Sequence, residues 1–159
     1  MVDIMILSID PGDMQSAYCL IDEKTLKPIE FGKIDNHLLL IKLDELNYDK
    51  LIIEMIASYG MAVGKSVFET CVWIGRFIQR RKCAEYEYIY RKEEKINLCG
   101  SMKAKDSNIR QALIDRFAQH DFKNGKGKKS NPDFFYGFSK DVWSAFAVGI
   151  TYLDKKKDE

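Results

Sequence analysis

Three carboxylates stand at the ends of three apolar stretches. Asp10 closes the apolar run Ile4-Met5-Ile6-Leu7-Ser8-Ile9, and Glu54 closes Leu51-Ile52-Ile53. Asp141 opens the apolar stretch from Val142 to Leu153. Short apolar runs bounded by turn signals read as strands buried on both faces. An unpaired carboxylate at the end of such a strand is costly. Acids from three separate elements suit a hard divalent cation, because oxygen ligands match Mg²⁺. The chemistry such a set offers is metal-dependent phosphodiester hydrolysis. Without a cation, acids held this close repel, and at least one pKa rises.

Each acid also has a plain structural use. Asp10 can start the Pro11-Gly12 turn. Asp141 can complement a helix dipole from the first turn. Glu54 fits such a use least, because Met55 and Ile56 continue the apolar run around it.

The elements that position these acids follow from patterning. Ala17 to Ile21 reads as a second strand and Pro28 to Ile34 as a third, with Lys24 to Lys27 as the hairpin between them. His37 to Leu46 reads as a short helix, and Leu51 to Glu54 as the fourth strand. Ala62 to Arg81 reads as a long helix. One of its faces carries Val63, Val67, Cys71, Ile74 and Ile78; a second carries Phe68, Val72, Trp73 and Phe77. A helix apolar on two faces is deeply buried or lies between its own sheet and a partner. Glu85 to Tyr90 alternates like a half-exposed strand. Asp106 or Ser107 caps a helix with the stripe Ile109, Ala112, Leu113, Phe117. Phe122 to Phe138 reads as a long loop, and Ser139 as the cap of the last helix. The order predicts one α/β domain over residues 1–159 with a mixed sheet.

Composition narrows the function. The chain has 159 residues and is 46% hydrophobic, enough for about one domain with a real core. No run approaches the ~18 apolar residues of a membrane span, and the start lacks a signal-peptide pattern. The four cysteines are far apart with no C-x-x-C pair, so a reduced, cytoplasmic protein is expected and a zinc site is not. His37 and His120 are isolated and read as structural. Charge is uneven. Residues 1–79 hold 7 Lys/Arg against 12 Asp/Glu, whereas residues 80–129 hold 14 against 7. An acidic part suited to metal precedes a basic part suited to phosphate, which suggests a nucleic-acid partner. Lys123, Lys126, Lys128 and Lys129, spaced by Gly125 and Gly127, form a cationic loop that can neutralise phosphates without reading sequence. Most of the aromatics that follow (Phe134, Phe135, Tyr136, Phe138) are expected in the core.

Ser8-Ile9-Asp10-Pro11-Gly12, Ile52-Ile53-Glu54 and Asp141 at the head of the final helix together resemble the RuvC family, Holliday-junction resolvases of the RNase H-like superfamily. The likeness spans nearly the whole chain and is similar to the RuvC-like endonucleases of phages of Gram-positive bacteria. It implies an RNase H-like fold with a mixed five-stranded sheet flanked by helices. It implies that Asp10 bridges two Mg²⁺ ions, with Mn²⁺ as a substitute, and that Glu54 and Asp141 complete the two sides. The family's D-x-x-D-A pair appears here as Asp141-Val142-Trp143-Ser144-Ala145. Ser144 thus stands in for the second aspartate, as a weaker, neutral metal ligand. Lys95 and Lys105 stand near the spacing of two lysines that grip phosphate in the family, with Lys103 beside them. Phe68 and Tyr59 are the aromatics that fit a role at the junction centre.

The resemblance also implies branched DNA as partner: four-way junctions first, with forks and flaps as further substrates. Cutting two equivalent strands needs two sites related by a two-fold axis, so a homodimer is expected. Its interface is placed on the long helix at Phe68, Val72, Trp73 and Phe77. Two other readings stand beside this one. The loss of the fourth acid suits a junction-binding protein with weakened or lost catalysis. The basic stretch equally suits an RNase H-like nuclease acting on RNA–DNA hybrids. An actin-like ATPase needs two such domains, and the chain is too short.

Overall fold

Side chains alternate across the first strand, and that alternation divides the protein into two layers around a sheet. The computed structural model describes residues 3–159. The strands are β1 (Met5–Asp10), β2 (Gln15–Asp22), β3 (Pro28–Asp35), β4 (Lys50–Met55) and β5 (Glu85–Tyr90). They form one five-stranded sheet in the order β3-β2-β1-β4-β5. β1 pairs antiparallel with β2 and parallel with β4, β2 pairs antiparallel with β3, and β4 pairs parallel with β5, so the sheet is mixed. The five helices are α1 (Asn36–Glu45), α2 (Lys65–Arg80), α3 (Arg91–Cys99), α4 (Asp106–Phe117) and α5 (Val142–Lys157).

Leu7 and Ile9 of β1, with Leu51 and Ile53 of β4, pack against Leu39 and Leu43 of α1 and Ile74 and Phe77 of α2. Ile6 and Ile52 face the other way, into a core built on α5 and α4 with Phe135, Phe138, Trp143 and Phe146. Each of these three phenylalanines is essentially unexposed. Burial of such a side chain contributes about 1.5–3 kcal/mol before entropy is counted. α5 lies close on β1 because Gly149 has no side chain: a Cβ there would stand 2.9 Å from Ser8 Oγ. Ser8 is buried and donates to the Ala145 carbonyl at 2.7 Å, tying the two elements together.

The expected strands appear within a residue or two of their expected bounds. The long helix begins at Lys65 rather than Ala62, after extended backbone at Gly64. α3 is the element that patterning did not reveal. It follows β5 without a loop; Glu93 turns back to accept from the Tyr90 N–H at 2.8 Å, and Gly100 at φ 70° ends it. The lysine-rich loop contains a small hairpin of β6 (Gly127–Lys128) and β7 (Asn131–Pro132). Its base is fixed by Asp133, which accepts from the N–H groups of Gln119, His120, Asp121 and Phe134. Burial pushes against ionisation of Asp133, yet these donors hold its carboxyl well below the usual carboxylate range. Among the described residues no helix is long and apolar enough to cross a membrane.

Candidate metal and nucleic-acid site

Period-two alternation puts Ser8 and then Asp10 on the same face as Ile6, and Glu54 on the same face as Ile52. The parallel pairing of β1 and β4 ends at Ile9 opposite Ile53, so Asp10 and Glu54 emerge side by side one step further. Asp10 has to leave the sheet there. Pro11 and Gly12 turn the chain, and a Cβ at Gly12 would collide with the Gln15 carbonyl. Asp141 is the N-cap residue of α5, which lies across the same face. Ser144 follows one helical turn later and is half-buried.

Burial raises the Asp10 carboxyl to about 9, helped by repulsion from Glu54 and then Asp141. Glu54, with 15% of its side chain exposed, is raised to about 9 by burial and then by Glu94. Glu94, on α3, is fully buried and is raised to about 7, chiefly by burial. Glu54 thus sits between two acids. The contacts among these acids become hydrogen bonds only when one member carries a proton; as carboxylates both partners accept and neither donates. Accordingly Glu54 Oε1 and Glu94 Oε2 are buried with no hydrogen-bond partner among the described residues.

Arg91, the first residue of α3, supplies the positive charge. Its Nη1 lies 3.1 Å from Glu94 Oε1 and 3.8 Å from Glu54 Oε1, and its Nη2 pairs with Asp106 at the start of α4. Asp141 is turned outward, where its Oδ2 meets Lys33 Nζ of β3 at 2.7 Å. In this arrangement no three His, Cys, Asp or Glu side chains among the described residues converge as a ligand set. The donors nevertheless fit a hard cation. Two half-buried carboxylates, Asp10 and Glu54, stand together, Glu54 has an orphaned oxygen, and the third acid is held aside by an ion pair with both side chains partly exposed. A cation of charge two would offset both the burial and the mutual repulsion that disfavour ionisation of these groups.

The expected phosphate-binding lysines fall into two groups. Lys95 follows Glu94 on α3 and is half-buried; Lys103 and Lys105 are exposed on the connection to α4. Lys105 precedes Asp106, the partner of Arg91, so this group is tied to the acids through Arg91. Lys123 and Lys126 line a pocket of about 450 Å³ with Arg110 and Trp143, the latter two residues beyond Asp141. Lys128 and Lys129 are exposed at the small hairpin. Phe135 and Phe138 are core residues as expected, while Tyr136 is 44% exposed.

On α2, Phe68 and Val72 are 60% and 61% exposed. Trp73 is half-buried, edge-on to His37 with Arg76 over its ring. Phe77 corrects the expectation for this helix. It is fully buried in the protomer's own core against the sheet and α1, so it is unavailable to a partner. Tyr59, in the left-handed region at φ 51°, lines a small pocket with Glu54 and Arg91, a placement Phe68 does not share.

Glu94, Arg91 and Lys33 are the residues that sequence reasoning missed. Glu94 lies in the charged run Arg91-Lys92-Glu93-Glu94-Lys95, where nothing marks which side chain is buried.

No family model matches the chain, and no curated protein matches its sequence. Solved structures do match in shape. Thermus thermophilus RuvC in complex with a Holliday junction substrate superposes with a TM-score of 0.68 at 9% identity, covering 97% of this chain and 96% of that one. A second Thermus thermophilus RuvC structure superposes with a TM-score of 0.62 at 12% identity, covering 98% and 97%. A mixed five-stranded sheet in this order, flanked by these helices and matched over almost its whole length, is the RuvC form of the RNase H-like fold, and this chain has it.

Proposed function

We propose that the chain is a divalent-cation-dependent endonuclease that cleaves branched DNA, four-way junctions first among them. The observation that carries this reading is the emergence of Asp10 and Glu54 side by side from β1 and β4, under the helix that Asp141 precedes. Asp10, Glu54 and Asp141 would hold the cations, with Ser144 as a weak fourth contact. A bound pair of Mg²⁺ ions would supply an activated water and a stabilised leaving oxygen. The protein's own part is to hold that constellation on two rigid strands and one helix, and to grip the backbone with Lys95, Lys103 and Lys105. Lys123, Lys126, Lys128 and Lys129 extend the cationic surface. A homodimer through Phe68, Val72 and the exposed edge of Trp73 would pair two such sites. The DNA seen with the superposed RuvC supports branched DNA as the substrate class.

A second reading has a specific observation behind it. Ser144 stands in place of an acid, and Asp141 faces Lys33 rather than Asp10. Both suit a junction-binding protein with weakened catalysis. One panel separates the readings: four-way, three-way, flap, linear and RNA–DNA hybrid substrates, each with Mg²⁺ and with Mn²⁺. Symmetric cuts in the four-way junction support the nuclease. Tight junction binding with no cleavage in either metal supports the second reading, and selective cutting of the hybrid contradicts both.

A further inference from the structure

We propose that Glu94 is a positioning residue that holds Arg91 off Glu54 and so leaves Glu54 free to take a cation. The inference rests on the proposed cation centre and adds to it a residue outside the three acids. Glu94 is fully buried on α3. A buried carboxylate opposes folding by several kcal/mol unless something offsets it. Its Oε1 accepts from Arg91 Nη1 at 3.1 Å, while its Oε2 has no hydrogen-bond partner among the described residues. The same Nη1 lies 3.8 Å from Glu54 Oε1, too far for a hydrogen bond, and that oxygen is also unpartnered.

One guanidinium group therefore stands between two acids and is drawn to the deeper one. Arg91 Nη2 is engaged by Asp106, which pins the far side of the group at the start of α4. Remove the charge of Glu94 and Nη1 keeps one strong acceptor, Glu54. A direct Arg91–Glu54 pair would tie up an oxygen lone pair that a cation needs. Glu94 is thus a decoy for the arginine. A simpler alternative is that Glu94 is itself the missing fourth ligand. Glu94 is fully enclosed and bonded to Arg91, whereas Glu54 keeps 15% of its side chain exposed, and the two roles differ in a double variant.

The experiment is Mn²⁺ binding to DNA-free protein, read by electron paramagnetic resonance of the free ion, with circular dichroism to verify folding. Glu94→Gln keeps shape and removes charge. It is expected to weaken Mn²⁺ binding about 10- to 100-fold, the usual range for a residue that orients a ligand. Adding Arg91→Gln to Glu94→Gln is expected to restore most of that affinity, because the competitor is gone. A double variant as weak as Glu94→Gln overturns the proposal, since it marks Glu94 as a ligand or a merely structural group. Glu94→Gln binding like wild type overturns it as well. Should Glu94→Gln fail to fold, Arg91→Gln alone reads the same competition: equal or tighter Mn²⁺ binding supports the proposal and a clear loss overturns it. Wild-type protein that binds no Mn²⁺ refutes the cation centre itself, a result distinct from a change between variants.

Discussion

Lys33 Nζ meets Asp141 Oδ2 at 2.7 Å, so a lysine from the edge strand β3 occupies the acid at the N-cap position of α5. The pair is partly exposed on both sides, and such pairs contribute about 0–1 kcal/mol to stability. Its consequence lies in competition. Lys33→Met should leave the unfolding midpoint nearly unchanged and free Asp141 for a cation. The Mg²⁺ concentration giving half-maximal junction cleavage should then fall. An unchanged or higher requirement means Asp141 does not serve the cation.

Asp133 anchors the lysine-rich loop through four backbone donors. Replacing it with alanine leaves those N–H groups without their acceptor, a cost of about 1–3 kcal/mol. The sign of the pH dependence follows from its depressed carboxyl. The folded state binds the proton less readily than the unfolded chain, whose aspartate titrates near 3.8. Its stabilisation is therefore complete above that value and declines as pH falls toward the lower folded-state value. Urea unfolding of wild type and Asp133→Ala should show a wide gap at neutral pH that narrows in acid. A gap independent of pH contradicts the assignment.

The proposed DNA face predicts salt dependence. Each phosphate contact on duplex DNA adds about 0.9 to the slope of log affinity against log salt. Lys105→Ala should lower four-way-junction affinity and reduce that slope by about one contact. An unchanged slope removes Lys105 from the interface.

Much of this site was legible because strands carry their information locally. Asp10 and Glu54 stand out as charges ending apolar runs, and the two-residue period decides their common face. The pairing of β1 and β4, which patterning alone did not foresee, ends at Ile9 opposite Ile53 and brings the two acids out side by side. α3 was hidden for the opposite reason. Its apolar side chains are only Ile96, Leu98 and Cys99, all in its second half, and Ile96 is 47% exposed. Burial of Glu94 is decided by tertiary neighbours, above all Arg91 and Glu54, which no local pattern encodes. Phe77 shows the same limit on α2. Two apolar faces were visible, but the boundary between core and surface falls inside the second one, between Phe77 and the exposed Phe68 and Val72.

That exposed pair carries the prediction for assembly. Phe68 and Val72 lie one helical turn apart, and both are more than half exposed. A two-fold contact would cover such a patch. Val72→Glu should shift sedimentation from dimer to monomer without loss of helical signal, and paired incision should give way to single nicks. Wild type sedimenting as a monomer while making paired cuts contradicts the placement.

Asp10, Glu54 and Asp141 are proposed to form one cation-dependent cutting centre. The most direct measurement is cleavage of a four-way junction in Mg²⁺ by wild type and by Asp10→Asn, Glu54→Gln and Asp141→Asn, with junction affinity measured in parallel. The expected result is cleavage by wild type, none by any of the three variants, and affinity retained in all, because these groups are proposed to hold cations rather than DNA. Near-normal cleavage by any of the three variants, or a wild type that binds the junction and never cuts it, would contradict the account.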